Sequence, residues 1–301
     1  MSEFAVDNES LVRKELLTKA IISGLIATYK LHQKLGDSGR TDFRQNQFGE
    51  TALRMDVEAE DEILSAIKKT QMAMEVFSEE HGQFNTGDQP KYIITIDGLD
   101  GSAEYKAKRG KAMYGTMVSV LNGINPTYDD YLISGIMIHS PKPQLLLAIK
   151  NKGCFSVDIK TGERRLLKKQ QGNEFSEESI LDLDTNWEPY RKIFAENKKS
   201  FPNLQCAFLS EAARTALFVN GKIEIGLEWT RKQNLEQPPT YGLVKELGGA
   251  MTTADGRSLG AQFFKTFEPQ NHIPLIVAPS QEIAVRVSQR FGLQNLRTRS
   301  N

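Results

Sequence analysis

Ile96-Asp97-Gly98-Leu99-Asp100-Gly101-Ser102 follows directly on the chain's clearest β-branched run, Tyr92-Ile93-Ile94-Thr95-Ile96. That run predicts a buried strand. The strand runs out into two carboxylates three residues apart, inside a turn that carries two glycines. Burying both acids unpaired would cost several kcal/mol per ion. A hard divalent cation removes that cost, because magnesium prefers carboxylate oxygens, keeps waters and bridges to phosphate. Gly101 allows backbone N–H groups to approach an anion closely. Ser102 opens a turn or short helix whose first N–H groups suit phosphate. Cation and anion sites then lie side by side, as phosphoryl chemistry requires. An isolated D-x-x-D-G stretch is more often an ordinary turn, so the reading depends on what surrounds it.

Working outward, Gly115 to Leu121, Tyr131 to His139, Gln144 to Ile149 and Cys154 to Val157 predict further strands of an antiparallel sheet. Upstream, the spacing predicts a helix from Ser10, as its cap, to about Lys34, with Leu11, Leu17, Ile21, Leu25 and Ile26 on the buried face. Asp37 to Gly49 is polar and aperiodic and reads as a loop. A second helix is expected over Asp56 to Lys69. Val57, Ile63, Leu64 and Ile67 form its inner face, and Glu58, Glu60, Asp61 and Glu62 form a solvated one. Downstream, a helix begins near Ser210 within Phe208 to Val219. Tyr241 to Leu247 is helical and stopped by Gly248-Gly249. Pro274 to Ala278 is a strand, and Ser280 caps a last helix through Phe291. The best seam lies between Lys168 and Glu177. It predicts an N-terminal α+β half, residues 1–170, carrying the acidic turn, and a C-terminal α/β half, residues 171–301, completing a cleft.

These segments, in this order, resemble the inositol monophosphatase family within its superfamily of fructose-bisphosphatase-like, metal-dependent sugar phosphatases. IDGLDGS is similar to the signature D-P-(I/L)-D-G-(T/S). Val76-Phe77-Ser78-Glu79-Glu80 resembles the G-E-E segment, and Asp56 to Glu60 the D-x-x-x-E helix start. Ala148 to Phe155 follows the sheet that carries G-x-G-A-F. Ser210-Glu211-Ala212-Ala213 stands where the family has G-(S/T)-A-A. Glu246-Leu247-Gly248-Gly249, with Asp255-Gly256 behind it, matches E-x-G-G…D-G. The resemblance runs from about residue 10 to residue 290. It implies a layered sandwich of alternating α and β layers.

The resemblance also implies a magnesium-dependent phosphomonoesterase that uses two or three ions. Glu79, Asp97 and Asp100 match metal ligands, with Leu99 giving its carbonyl. Asp56, Glu79 and Ser102 match the catalytic group, in which Asp56 and Ser102 relay a proton and position the attacking water. Gly101, Ser102 and Ala103 would hold phosphate by their N–H groups, with Ala212 and Glu228 at the substrate. No covalent phosphoenzyme is implied: water attacks phosphorus in line while metal charge stabilises the leaving oxygen. Three departures stand out. Gly98 replaces the signature proline, which would loosen the turn. The late W-D-x-A-A-G is absent, and counting back from Gly248-Gly249 puts Glu236 in the place of the family's metal-binding aspartate, one methylene longer, as a metal ligand or a lost one. The early K-G-(D/S) loop is not recognisable in Arg44 to Gly49. These departures keep open a weakened relative that binds phosphorylated ligands without turnover. A sugar bisphosphatase and a 3′-nucleotide phosphatase are alternatives on the same fold.

Composition sets the outer bounds. The 301 residues carry 38 basic and 38 acidic side chains, a formal net charge of zero, which argues against a nucleic-acid or membrane-surface binder. The local basic run Lys106, Lys108, Arg109, Lys111 reads as a solvated loop. Trp229, Arg231 and Lys232 precede Glu236 and are candidates for substrate contact or rim packing. Cys154 and Cys206 are too few for a disulfide framework or a thiolate zinc site, and His32, His81, His139 and His272 lack ligand spacing. With no apolar run of membrane length and no signal peptide at the N-terminus, the expectation is a cytoplasmic enzyme acting on a small phosphorylated substrate. The resemblance also allows a homodimer.

Overall fold

The decisive strand is longer than its β-branched run: both aspartates belong to it. The computed structural model describes residues 3–169, 174–206, 209–230, 234–266 and 273–296. In chain order these form α1 (Glu3–Leu35), β1 (Asp42–Gln45), β2 (Thr51–Leu53), α2 (Arg54–Lys68), β3 (Met74–Ser78), β4 (Gly82–Asn85), β5 (Tyr92–Asp100) and α3 (Ser102–Lys108). Next come β6 (Tyr114–Asn122), β7 (Tyr131–Ser140), β8 (Gln144–Ile149), β9 (Gly153–Val157) and β10 (Arg164–Leu166). The second half contributes β11 (Leu181–Leu183), α4 (Glu188–Asn197), β12 (Leu204–Gln205), α5 (Glu211–Val219), β13 (Ile225–Trp229) and α6 (Gln237–Glu246). The described chain ends with β14 (Ala250–Thr253), β15 (Pro274–Ala278) and α7 (Gln281–Arg290).

Strands β10-β9-β8-β7-β6-β5-β3-β4 form one eight-stranded sheet, and β12-β11-β13-β15-β14 a second of five. The first is antiparallel except where β3 lies parallel to β5. In the second, β11 is parallel to β12 and β13, while β15 is antiparallel to β13 and β14. Leu17, Ile21 and Leu25 of α1 pack with Ile63 and Ile67 of α2 on one face of the large sheet, against Ile94, Ile96, Val118 and Met137. Its other face meets Ala212 and Ala216 of α5 and Leu243 of α6 through Met117, Ile136 and Leu146. Tyr241 and Val244 of α6 turn towards Leu275 and Val277 of the second sheet, whose far face is closed by Tyr190 of α4 and Val287 of α7. The result is five alternating layers, α-β-α-β-α, each buried by the apolar stripe of its neighbour.

Several expectations need correction. Helix α1 begins at Glu3 rather than at a Ser10 cap, and Leu11 is 52% exposed, because the first turns of the helix run beyond the sheet. The polar stretch 37–49 is not simply a loop: it holds a 3-10 turn and β1, which pairs antiparallel with β2. Helix α6 starts four residues before Tyr241, with prolines in its first turn, where their missing N–H groups cost nothing. Ser280 caps α7 as read, and Ser210, near which a helix start is expected, caps α5: each hydroxyl accepts from the amide three residues on, Ala213 at 3.1 Å and Ile283 at 3.2 Å. The proposed seam falls partly on residues 170–173, and Phe208 on 207–208; both lie outside the described residues, as do Arg231, Lys232 and His272.

Candidate active site

The acidic turn is built by a bulge. β5 and β6 pair Asp97 with Met117 and then Asp100 with Gly115, so the register slips between the two acids. Such a bulge re-aims side chains at the end of a strand. Asp97 Oδ1 accepts the Leu99 amide at 2.9 Å, and the Leu99 carbonyl accepts the Ser102 hydroxyl at 3.0 Å. Gly101 has φ +92°, and a Cβ there would stand 2.8 Å from Ser210 Cβ; only glycine fits both demands. Gly98 does not loosen the turn. A Cβ on it would lie 2.0 Å from the Asp56 carbonyl oxygen and 2.9 Å from Glu60 Cγ, so its bare backbone is what lets α2 press against the turn. Thr116 Oγ1 fixes the Gly98 carbonyl at 2.7 Å.

That close approach brings in the first turn of α2. Asp56 Oδ2 accepts the Leu53 amide at 2.6 Å, closing the helix start. Burial pushes the Asp56 carboxyl well above the usual range; the Leu53 amide opposes the shift, nearby Glu80 and Glu79 add to it, and the Ser102 hydroxyl draws it back. Glu60 is not on a solvated face: it is fully buried. It accepts the Ser78 hydroxyl, the Glu79 amide at 3.0 Å and the Glu80 amide at 3.2 Å. It therefore caps the chain where β3 ends and Glu79 turns into the cleft. Glu58 and Asp61 stay at the surface, in pairs with Arg54 at 2.5 Å and His81 at 3.1 Å.

The far wall comes from the second half. Glu236 is the residue at the start of α6, and it is buried. Oxygens of Asp97, Asp100 and Glu236 lie within 4.8 Å of one another, and all three residues are buried. Three buried carboxylates at that separation suit a hard divalent cation by donor type, since magnesium takes oxygen ligands. Asp100 Oδ2 is also held by the Ala212 amide, at 2.6 Å, from the first turn of α5; an anion there complements the helix dipole.

These groups open on a cleft of about 510 Å³ lined by Asp56, Glu79, Glu80, Asp97, Leu99, Asp100, Gly101, Ser102, Ala103 and Glu236. The structure thus brings Asp56, Glu79, Ser102 and the turn residues together. It does not place Ala212 or Glu228 among the lining residues. The Ala212 amide is turned onto Asp100, and Glu228 is buried beside Arg214, 3.7 Å from its Nη1. Trp229 stacks on Trp187, a packing role. Lys106 and Arg109 form ion pairs with Asp42 and Asp37, at 2.6 and 3.5 Å, tying α3 to the segment before the β1–β2 hairpin and to its first strand. Sequence reasoning missed Asn46, Glu50 and Thr51 of that hairpin, along with Asn186 and Leu209, all of which line the cleft. The two-stranded pairing inside a polar stretch left no alternation to read.

Solved structures share this architecture. Fructose-1,6-bisphosphatase of Leishmania major in its holo form superposes with a TM-score of 0.69 at 16% identity, covering 92% of this chain and 93% of that one. The extragenic suppressor protein SuhB of Bartonella henselae does so with a TM-score of 0.69 at 13% identity, covering 91% and 98%. At such identities the likeness concerns the fold. No curated protein sequence gives a match. The description of the inositol monophosphatase family matches residues 8–289, and with that match across the two sheets and the acidic turn between them, the chain belongs to the inositol monophosphatase family.

Proposed function

We propose that this chain is a magnesium-dependent phosphomonoesterase acting on a small phosphorylated polyol, sugar or nucleotide. Its family is one of metal-dependent phosphatases. The observation that carries the reading is the buried cluster of Asp97, Asp100 and Glu236, with oxygens within 4.8 Å of one another at the floor of an open cleft. Asp97, Asp100 and Glu236, with Glu79 beside them and the Leu99 carbonyl at the turn, are the groups that would hold magnesium. When bound, magnesium supplies the positive charge that makes a water acidic enough to attack at neutral pH and that neutralises the leaving oxygen.

The chain's own residues do the rest. The Ser102 hydroxyl lies 3.0 Å from the Leu99 carbonyl and within reach of Asp56; its single proton goes to one or the other, and turned onto Asp56 it draws that carboxyl down. With Ser102 turned to donate to Asp56, an attacking water can give a proton to the Ser102 oxygen while Ser102 passes its own to Asp56, whose burial makes it a stronger base than an exposed aspartate. Gly101, Ser102 and Ala103 line the cleft where the phosphate would sit. The proposed setting is the cytoplasm, supported by Cys154 and Cys206, both free. Among the described residues no helix is long and apolar enough to cross a membrane.

The test is phosphate release from a panel of phosphomonoesters, bisphosphates and 3′-nucleotides, with and without magnesium. Turnover should require the metal, and Asp97→Asn should lower it by several orders of magnitude while the fold survives. Turnover of wild-type rate without magnesium, or no release from any member of the panel, would overturn the proposal; the second outcome favours a binder without turnover.

A further inference from the structure

The second half ties its two site-bearing helices together through a buried chain of polar groups. Arg214 of α5 is 2% exposed. Its Nε lies 2.7 Å from Asp182 Oδ2 of β11, and its Nη1 lies 3.4 Å from Glu211 Oε2. The other oxygen of Glu211, Oε1, accepts the Thr240 hydroxyl at 2.9 Å. Thr240 sits in the first turn of α6, and its hydroxyl is paired again with Thr215 Oγ1 of α5 at 2.8 Å. Because the Thr240 proton goes to Glu211, Thr215 is the donor in that second bond. All these side chains are buried.

Two members of this chain, Glu211 and Thr240, adjoin the acidic cluster through the backbone. The residue after Glu211 is Ala212, whose amide holds Asp100 at 2.6 Å. Four residues before Thr240 stands Glu236, whose carbonyl accepts the Thr240 amide at 3.3 Å. The two positions also depart together from the family's pattern: Glu211 stands where that pattern has serine or threonine, and Glu236 where it has aspartate. A glutamate carries one more rotatable bond than an aspartate, so its carboxylate stays in reach only if its backbone is held firmly. The geometry points to Glu211 and Thr240 as positioning residues that lock α5 to α6 and so set Asp100 and Glu236 at the separation a divalent cation needs. This rests on the reading of the cluster as a metal site. Neither residue lines the cleft; both act through the Ala212 amide and the backbone of α6. Arg214 keeps Oε2 engaged, which leaves Oε1 turned to Thr240. A separate bond from Ser134 Oγ to the Pro238 carbonyl, 3.1 Å, anchors α6 to the large sheet, so losing the Thr240 hydroxyl loosens the link to α5 without releasing the helix.

The experiment is Mn2+ binding to the full chain, counted by electron paramagnetic resonance, alongside thermal melts. It compares wild type, Thr240→Val, Thr240→Ser and Asp97→Asn. Valine keeps the shape but leaves Glu211 Oε1 without its donor, so it should melt a few degrees below wild type while still unfolding cooperatively, and bind Mn2+ about tenfold more weakly, the lower end of the range for outer-shell partners. Serine keeps the hydroxyl and should restore wild-type affinity. Wild-type Mn2+ affinity in Thr240→Val, or equal losses in valine and serine, overturns the positioning role. Asp97→Asn separates the two levels. If it binds Mn2+ as wild type does, the metal-site reading itself has failed. If it binds weakly while Thr240→Val is unaltered, only the positioning role has.

Discussion

Replacing Glu236 by glutamine removes one of three charges whose oxygens lie within 4.8 Å of one another. At 4.8 Å two unit charges repel by about 3.5 kcal/mol with an effective dielectric of about 20. Two of the three pairs vanish in Glu236→Gln, about 7 kcal/mol at that separation and dielectric if all three groups stay ionised. Proton uptake limits how much of this the folded protein feels: a glutamate that takes a proton at pH 7 instead gives up only roughly 3.5 kcal/mol, at 1.36 kcal/mol per pH unit. Taking about 2 kcal/mol as the part of that limit realised in the metal-free variant, its Tm rises by roughly 3 °C for a chain of 301 residues. With metal the sign reverses. A metal at about a hundred times its Kd stabilises by about 2.7 kcal/mol, and a hundredfold loss of affinity leaves only about 0.4 kcal/mol of that. Urea and thermal melts of both proteins, with chelator and with millimolar magnesium, read both effects. The variant should be the more stable protein in chelator and should gain little from magnesium, whereas Glu236→Asp should behave as wild type in both. If Glu236→Gln is no more stable in chelator and gains as much from magnesium as wild type, the carboxylate is not part of the cluster.

Two further outcomes follow from the same structure. Gly98→Ala puts a methyl 2.0 Å from the Asp56 carbonyl, where ordinary contact needs well over 3 Å, so α2 must retreat; a loss of about 3 kcal/mol is expected, and a wild-type urea midpoint would show that the helix does not press on the turn. Burial and then the Arg109 charge hold His32 down to about 4, while the unfolded chain takes that proton near 6.5. The unfolded state binds more protons between these values, so stability should fall as pH drops from about 6.5 towards 4. His32→Gln should flatten that fall by up to about 1.4 kcal/mol per pH unit, and a pH-independent difference between variant and wild type would contradict it.

Much of the site was legible because it is local. Asp97, Asp100, Gly101 and Ser102 lie within six residues, and the strand that carries them announces itself by β-branched side chains. The cap at Ser280 and the helix start near Ser210 were readable for the same reason, since a cap is a bond across three residues. Glu60 was not: helical spacing places it among the acids of α2, and only β3, packed alongside, turns its oxygens onto the amides of Glu79 and Glu80. Gly98 was misread, because a glycine that relieves a clash with α2 looks the same in sequence as one that loosens a turn. Glu228 was expected at the substrate, yet Arg214, distant in sequence, draws it into the core.

The chain by itself determined the order of most elements and the acidic turn, since each is written in hydrophobic period, turn chemistry and short-range hydrogen bonding, while the layered class came from the resemblance of its motifs to a known family. Only the tertiary structure decided that Glu236 meets Asp97 and Asp100, that the β1–β2 hairpin forms part of the cleft, and that Thr240 bonds Glu211. Those contacts join residues far apart in sequence, and which of them form depends on how the helices between the two sheets pack, which no local pattern records.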